Sequence, residues 1–217
     1  MKGMLIKDFR LLNLQKKFLI IVLIVVTVPA LINGSFEFSV GFLTAVVPMF
    51  ALSSISYDEF EGGDAFLFTL PISRKEYAEE KYLFALILSV LAWVLSFILS
   101  FTVNSIRGYI PLNELMASEI MIMPGSLFLS AITIPIQLKY GKEKGGMAIA
   151  PVMGIIAVLF LLLYKGSKLL DFDFSLWLKD IFASGMVKPA IVVWILGIIV
   201  FLISMKISFR IMEKKEF

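Results

Sequence analysis

The side chains of this sequence that could do chemistry are concentrated between Tyr57 and Lys81. That stretch opens with Asp58-Glu59-Phe60-Glu61-Gly62-Gly63-Asp64, continues through Ala65-Phe66-Leu67-Phe68-Thr69-Leu70, and closes on Pro71-Ile72-Ser73-Arg74-Lys75-Glu76. Carboxylates at this density raise the question of a divalent cation, but a calcium loop needs oxygen ligands at alternate positions. Phe60 stands where the second ligand would be, so a solvated acidic turn is the simpler reading. The chain has no histidine and no cysteine. This removes the commonest metal ligand and general base, along with any thiol nucleophile or disulfide. A second charged loop, Lys139-Tyr140-Gly141-Lys142-Glu143-Lys144-Gly145-Gly146, is rich in glycine. It lacks the Gly-x-x-x-x-Gly-Lys-Ser/Thr spacing that cradles nucleotide phosphates. That motif occurs nowhere in the 217 residues, so any ATP that drives this protein binds another subunit.

The elements that must position these loops are membrane helices. Apolar residues make up 59% of the chain, against roughly 45–50% in an average soluble domain. Stretches of about twenty apolar residues, enough to cross a bilayer, alternate with short charged loops. The expected spans lie near 18–32, 40–56, 82–106, 119–138, 147–165 and 187–208, within a single transmembrane domain covering 1–217. The fold class is all-α, six transmembrane helices, because each span must satisfy its own backbone hydrogen bonds in lipid. No cleavage signal stands out at Asn33-Gly34-Ser35, so the first stretch reads as a retained span. Residues 1–17 carry Leu5, Phe9 and Leu12 at helical spacing beside Lys2, Lys16 and Lys17. They predict an amphipathic helix lying in the membrane interface, or else a basic anchor that only fixes topology. Fifteen of the 20 lysines and arginines fall at the N-terminus, at 74–81, at 139–144 and at 206–215. The positive-inside rule then places both termini in the cytoplasm. A net charge of only +3 gives no support to a nucleic-acid partner.

Ser73 followed three residues later by Glu76 fits a capping box, with Ile72 and Tyr77 as its hydrophobic staple, so a helix starts at Arg74 and runs into the third span. Three phenylalanines and two leucines precede it, an apolar patch that a protein partner or the membrane surface must cover. No aspartate, glutamate, lysine or arginine falls near the middle of an expected span, which disfavours coupling to an ion gradient through a buried carboxylate. Ser89, Trp93, Ser96 and Ser100 share one face of the third span, and Trp194, Gly197, Phe201, Ser204 and Ser208 one face of the sixth. Such faces serve either helix packing, as small residues do in lipid, or a substrate-facing surface. Pro29, Pro48, Pro124, Pro135 and Pro151 interrupt four of the six spans; broken helices suit a moving transporter and also occur in static bundles.

Taken together, the start Met-Lys-Gly-Met-Leu-Ile-Lys-Asp-Phe, the span pattern, the Leu70-Pro71-Ile72-Ser73-Arg74-Lys75-Glu76 loop with Lys81-Tyr82, and Lys139-Tyr140-Gly141-Lys142-Glu143-Lys144 resemble permease subunits of type-2 ATP-binding-cassette transporters. The resemblance covers essentially the whole chain. It implies a bacterial plasma-membrane protein, embedded in lipid, that pairs with a second permease and with a dimer of cytoplasmic ATPase subunits. ATP and magnesium would sit on those ATPases, and this chain would hold no cofactor and catalyse no reaction. Coupling to the ATPases would fall on Asp58, Glu59, Phe60, Glu61, Phe66, Phe68, Leu70 and Arg74, with Lys142 and Glu143 as a lesser contact, and residues 1–17 would form the elbow helix. The compact form is similar to exporters of amphipathic peptides, including those for phenol-soluble modulins and for antimicrobial-peptide immunity. Two other classes fit the pattern less closely: a membrane scaffold or sensor, which needs only packing faces and a docking loop, and a membrane-embedded lipid enzyme, which needs convergent carboxylates.

Overall fold

The computed structural model describes residues 1–60, 63–141 and 187–215, with Lys144, Pro151, Gly154 and Val158 between them. All regular elements among the described residues are helices, without a strand. Helix α1 (Lys2–Leu14) ends at Gln15, and α2 (Lys16–Asn33) turns directly into the first span. The second span is interrupted: α3 (Phe36–Val46) and α4 (Phe50–Asp58) are joined by a 3-10 turn, Val47–Met49, around Pro48. A proline has no N–H for the helical ladder, so the chain tightens there. After the short α5 (Gly63–Leu67), helix α6 (Arg74–Arg107) runs 34 residues, about 51 Å at 1.5 Å per residue.

The fourth span is likewise broken in two, α7 (Leu112–Ile122) and a helix over 124–141, here α8, separated at Met123 before Pro124. The last helix, α9, is Val187–Lys214. Five helices, Lys16–Asn33, Phe36–Asp58, Arg74–Arg107, Leu112–Gly141 and Pro189–Lys214, are long and apolar enough to cross a membrane. The expected span at 147–165 lies outside the described residues, so five of the six are observed. Phe36–Asp58 is the most deeply buried of them and sits at the centre, with α2 and α6 against α3 and with α9 against α6. Ile20, Ile24, Val90, Leu95, Ile98, Ile199, Leu202 and Ile203 are exposed on the outer helices, the surface a bilayer covers.

The capping box at the start of α6 forms as the sequence predicts: Glu76 N–H donates to Ser73 Oγ at 3.1 Å, and Ser73 N–H donates to Glu76 Oε2 at 2.9 Å. At the opposite end of the bundle, Gly34 closes α2 with φ +66°, a left-handed conformation that disfavours any side chain. A Cβ there would also lie 2.7 Å from Tyr109 Cγ, and Tyr109 OH donates to the Leu31 carbonyl at 2.9 Å. Two span connections are thereby locked together.

The N-terminal segment is helical as expected, yet its buried residues are Met4 and Asp8. Leu5 and Leu12 pack partly on the core and Phe9 meets Phe84 edge-on at 5.3 Å, whereas Ile6 and Leu14 are exposed.

Candidate functional site

At the end of the bundle shared by α1, α4 and the start of α6, charged side chains converge and are buried. Lys81 lies two turns into α6. Its Nζ donates to Asp8 Oδ2 at 2.6 Å and to Ser54 Oγ at 2.7 Å, and stands 2.8 Å from Asp58 Oδ2. Lys7 pairs with Asp58 and lies 3.2 Å from Asp8 Oδ1, and Tyr77 OH donates to Asp58 Oδ2 at 3.1 Å. The Glu80 carboxylate is 3.3 Å from Lys81 Nζ. Asp8, Glu80 and Lys81 are fully buried.

Charges taken out of water survive only when paired and hydrogen-bonded, because desolvation costs several kcal/mol per ion. Burial pushes the Asp8 carboxyl up, but the attraction and hydrogen bond of Lys81, helped by Ser54 and Lys7, outweigh it and hold the group below its ordinary value. The cluster therefore ties the N-terminal helix to the second and third spans.

Directly beside this cluster stands the apolar patch. Phe66, on α5, is 71% exposed and Leu70 is 45% exposed, while their neighbours Leu67 and Phe68 pack on the core. Phe68 meets Tyr77 edge-on at 5.6 Å, and Tyr77 in turn bonds Asp58. Phe60 is 52% exposed. Glu59 is held by Lys215, whose Nζ donates to Oε1 at 2.6 Å. Arg74 donates to the Glu213 carbonyl at 3.0 Å and the Met212 carbonyl at 3.4 Å, capping the end of α9 as a cation does well. Both ends of the described chain thus meet at this end of the bundle.

The coupling candidates accordingly divide. Phe60, Phe66 and Leu70 face outward. Asp58 is committed to Lys7, Lys81 and Tyr77, Glu59 to Lys215, Phe68 to Tyr77 and Arg74 to the end of α9, so these four brace the patch from within. Glu61, Lys142 and Glu143 lie outside the described residues. Sequence reasoning missed Asp8, Lys81, Lys7, Ser54 and Tyr77 as a unit. The available signal was Asp8 itself, placed at i+3 from Leu5 and i−4 from Leu12 on the face expected to be apolar.

The expectation that no charge lies near the middle of a span meets an exception in Glu119, which stands against Ser96 partway along α6. The fourth span starts at Leu112, seven residues earlier than the sequence reading placed it, so Glu119 falls inside the membrane helix rather than at its edge. Its carboxylate is fully buried, and Ser96 Oγ donates to Oε2 at 3.0 Å. Ser96 lies about 21 Å along α6 from Tyr82 and about 15 Å from Ile106.

Ser89, Ser96 and Ser100, offered as a substrate-facing row with Trp93, are all fully buried between helices, and Ser89 Oγ bonds its own helix at the Ala85 carbonyl, 2.8 Å. Trp93 is half-buried, and its indole N–H donates to the Glu119 carbonyl at 3.0 Å. On the other side, the Trp194 indole N–H donates to the Ile120 carbonyl at 3.0 Å. Pro124 has no N–H to give Ile120 four residues back, so Trp194 supplies the donor that the broken helix lacks.

The Ser204 and Ser208 face of α9 is a packing face as well. Tyr82 OH sits 2.6 Å from Ser204 Oγ and 2.9 Å from Ser208 Oγ, with its ring edge-on to Phe201 at 5.1 Å.

Among the described residues no group of three or more acidic side chains is arranged to hold a metal ion; in the buried cluster lysine ammonium groups occupy the space between the carboxylates. A family model described as ABC-2 family transporter protein matches residues 3–213. No curated protein matches the chain.

Proposed function

The chain belongs to the ABC-2 transporter family, and from that membership we propose that it is the membrane subunit of an ATP-driven exporter, moving amphipathic peptides or lipid-like molecules outward. It would act as one transmembrane domain in a bacterial plasma membrane, with both termini in the cytoplasm. Its partners would be a second permease and a pair of cytoplasmic ATPase subunits that carry the ATP and magnesium.

The observation that supports this reading is the position of Phe66. A large aromatic ring exposed on a five-residue helix is costly to leave in water, yet its immediate neighbours are anchored through Phe68 and Tyr77 to the buried Asp58–Lys81–Asp8 cluster. Force applied at Phe66, with Phe60 and Leu70 beside it, would pass along that chain of contacts to α1, α4 and α6 together. Glu61, Lys142 and Glu143 would add polar contacts. Lys81 and its partners would stiffen the receiving element, as force transmission requires. In this conformation Ser89, Ser96 and Ser100 are closed off between helices, so a pathway lined by them would open only on rearrangement of α6 against α7 and α8.

The test is copurification with an ATPase, followed by measurement of substrate-stimulated ATP turnover and flux. Phe66→Asp is expected to express normally and keep its thermal stability while losing the link between turnover and flux. Unaltered flux in that variant would remove Phe66 from the interface, and failure of the chain to associate with any ATPase would remove the reading itself.

A further inference from the structure

The cationic end of α9 carries a feature that force transmission does not use. A groove of about 520 Å³ runs between the ends of α8 and α9, within the roughly 300–1,000 Å³ of small-molecule sites. Leu138, Ile207 and Ile211 line it with apolar surface, and Lys139, Arg210 and Lys214 bring three cations to it. Lys215 also borders the groove but is engaged by Glu59. Among the described residues Lys139, Arg210 and Lys214 have no carboxylate within ion-pair distance, and all three are exposed. Lys139, on α8, lies over the face of Tyr140, its Nζ 5.2 Å from the ring centroid.

We infer that this groove binds the headgroup of an anionic phospholipid from the leaflet at that end of the bundle. The reason for a lipid, rather than an acidic protein segment, is the helix face on which the cations stand. Residues spaced three or four apart share one face of a helix, and Leu196, Ile203 and Ile207 precede Arg210 and Lys214 in that register. All five are exposed. A single stripe therefore runs from apolar to cationic along a helix long and apolar enough to span the bilayer. The phosphate of a lipid would sit between Lys139, Arg210 and Lys214, its glycerol over Ile211, and its acyl chains along Ile207 and Ile203. A phosphate without chains would leave that apolar stripe unused, and an acidic peptide would have to leave water for the membrane boundary to reach it. Basic pockets between membrane helices take phospholipid headgroups on this physical basis.

The experiment uses the full chain reconstituted with equal amounts of phosphatidylglycerol and phosphatidylcholine, then extracted into detergent, with the retained lipid quantified. Phosphatidylglycerol is expected to be retained preferentially, and Arg210→Gln/Lys214→Gln to weaken that binding on the order of 10- to 30-fold. Arg107→Gln, which removes a cation at the far end of α6, is expected to leave retention unchanged. Thermal unfolding of each variant separates loss of the site from loss of the fold, and Lys139→Gln alone, with a smaller loss, serves if the double variant unfolds. Equal retention of the two lipids, or an undiminished preference in Arg210→Gln/Lys214→Gln, would overturn the inference. So would displacement of the lipid by inorganic phosphate at millimolar concentration, which would identify a site for a free anion. Loss of ATPase association with lipid retention intact would also overturn it, assigning the groove to a protein contact.

Discussion

Lys81 Nζ and Asp8 Oδ2 are 2.6 Å apart, fully buried, and separated by 73 positions in the chain. Together with the Lys7–Asp58 pair, this contact fastens an N-terminal helix whose other buried side chain is Met4. Removing one member of a buried ion pair leaves an uncompensated charge in a low dielectric, which costs about 3–5 kcal/mol. Lys81→Met strands Asp8, Asp58 and Glu80 with Lys7 as the cation left in the cluster and the Tyr77 hydroxyl on Asp58. It is therefore expected to destabilise by that amount in calorimetry of the purified protein. Asp8→Asn leaves Lys81 its Asp58 and Ser54 partners and is expected to cost clearly less; equal losses in the two variants would contradict the assignment of Lys81 as the hub.

The same pair sets an acid limit. The Asp8 carboxyl is depressed in the folded protein, so the stability it contributes is fully present above its unfolded value, about 3.9, and is lost as pH falls through the lower folded value. The chain has no native cysteine, so a spin label on Lys2→Cys reports α1 alone. Label mobility is expected to rise only when the pH is brought below about 4, and in Asp8→Asn that acid step should be missing. A step unchanged by the substitution would assign the transition to another carboxylate.

Gly34 joins two requirements that can be separated. A left-handed backbone costs an ordinary residue about 1–2 kcal/mol, and the Cβ of an alanine there would in addition run into the Tyr109 ring, whose Cγ is 2.7 Å from that position. Gly34→Ala is expected to lower the unfolding temperature, and Tyr109→Ala in that background to recover only part of the loss. Full recovery would mean that the backbone conformation carries no penalty.

Within the membrane, Ser96 and Glu119 form a pair suited to a double-mutant cycle. Hydrogen bonds between membrane helices couple by about 0.6 kcal/mol on average and up to about 1.7. Glu119→Gln keeps an acceptor for the Ser96 hydroxyl and is expected to stay near wild-type stability, whereas Ser96→Ala and Glu119→Ala should show coupling within that range. Additive losses would show that the contact at 3.0 Å is energetically idle.

Local signals carried the sequence reading well. The Ser73–Glu76 capping box and the apolar runs are written within a few residues of each other, and the observed α6 starts at Arg74 as expected. The face of α9 from Trp194 to Ser208 was likewise legible from periodicity, although its choice between packing and substrate needed Tyr82 from another helix. What escaped were the contacts that depend on three-dimensional closure. Nothing near Asp8 announces Lys81, and a polar residue on an apolar face reads as a boundary until its partner is known. Hydropathy places Glu119 at a span edge because it counts every carboxylate as though it faced water, whereas here a serine on a neighbouring helix hydrogen-bonds it.

The break at Pro124 carries a practical consequence. The carbonyls of Glu119 and Ile120, adjacent in the chain, are each taken by an indole, one from α6 and one from α9. Two of the protein's three tryptophans are thereby bonded to a single helix break, from two different helices. A movement that reshapes this break is expected to disturb one of these indole N–H bonds, so the intrinsic fluorescence of a Trp177→Phe variant is a built-in gauge of the fourth span's shape.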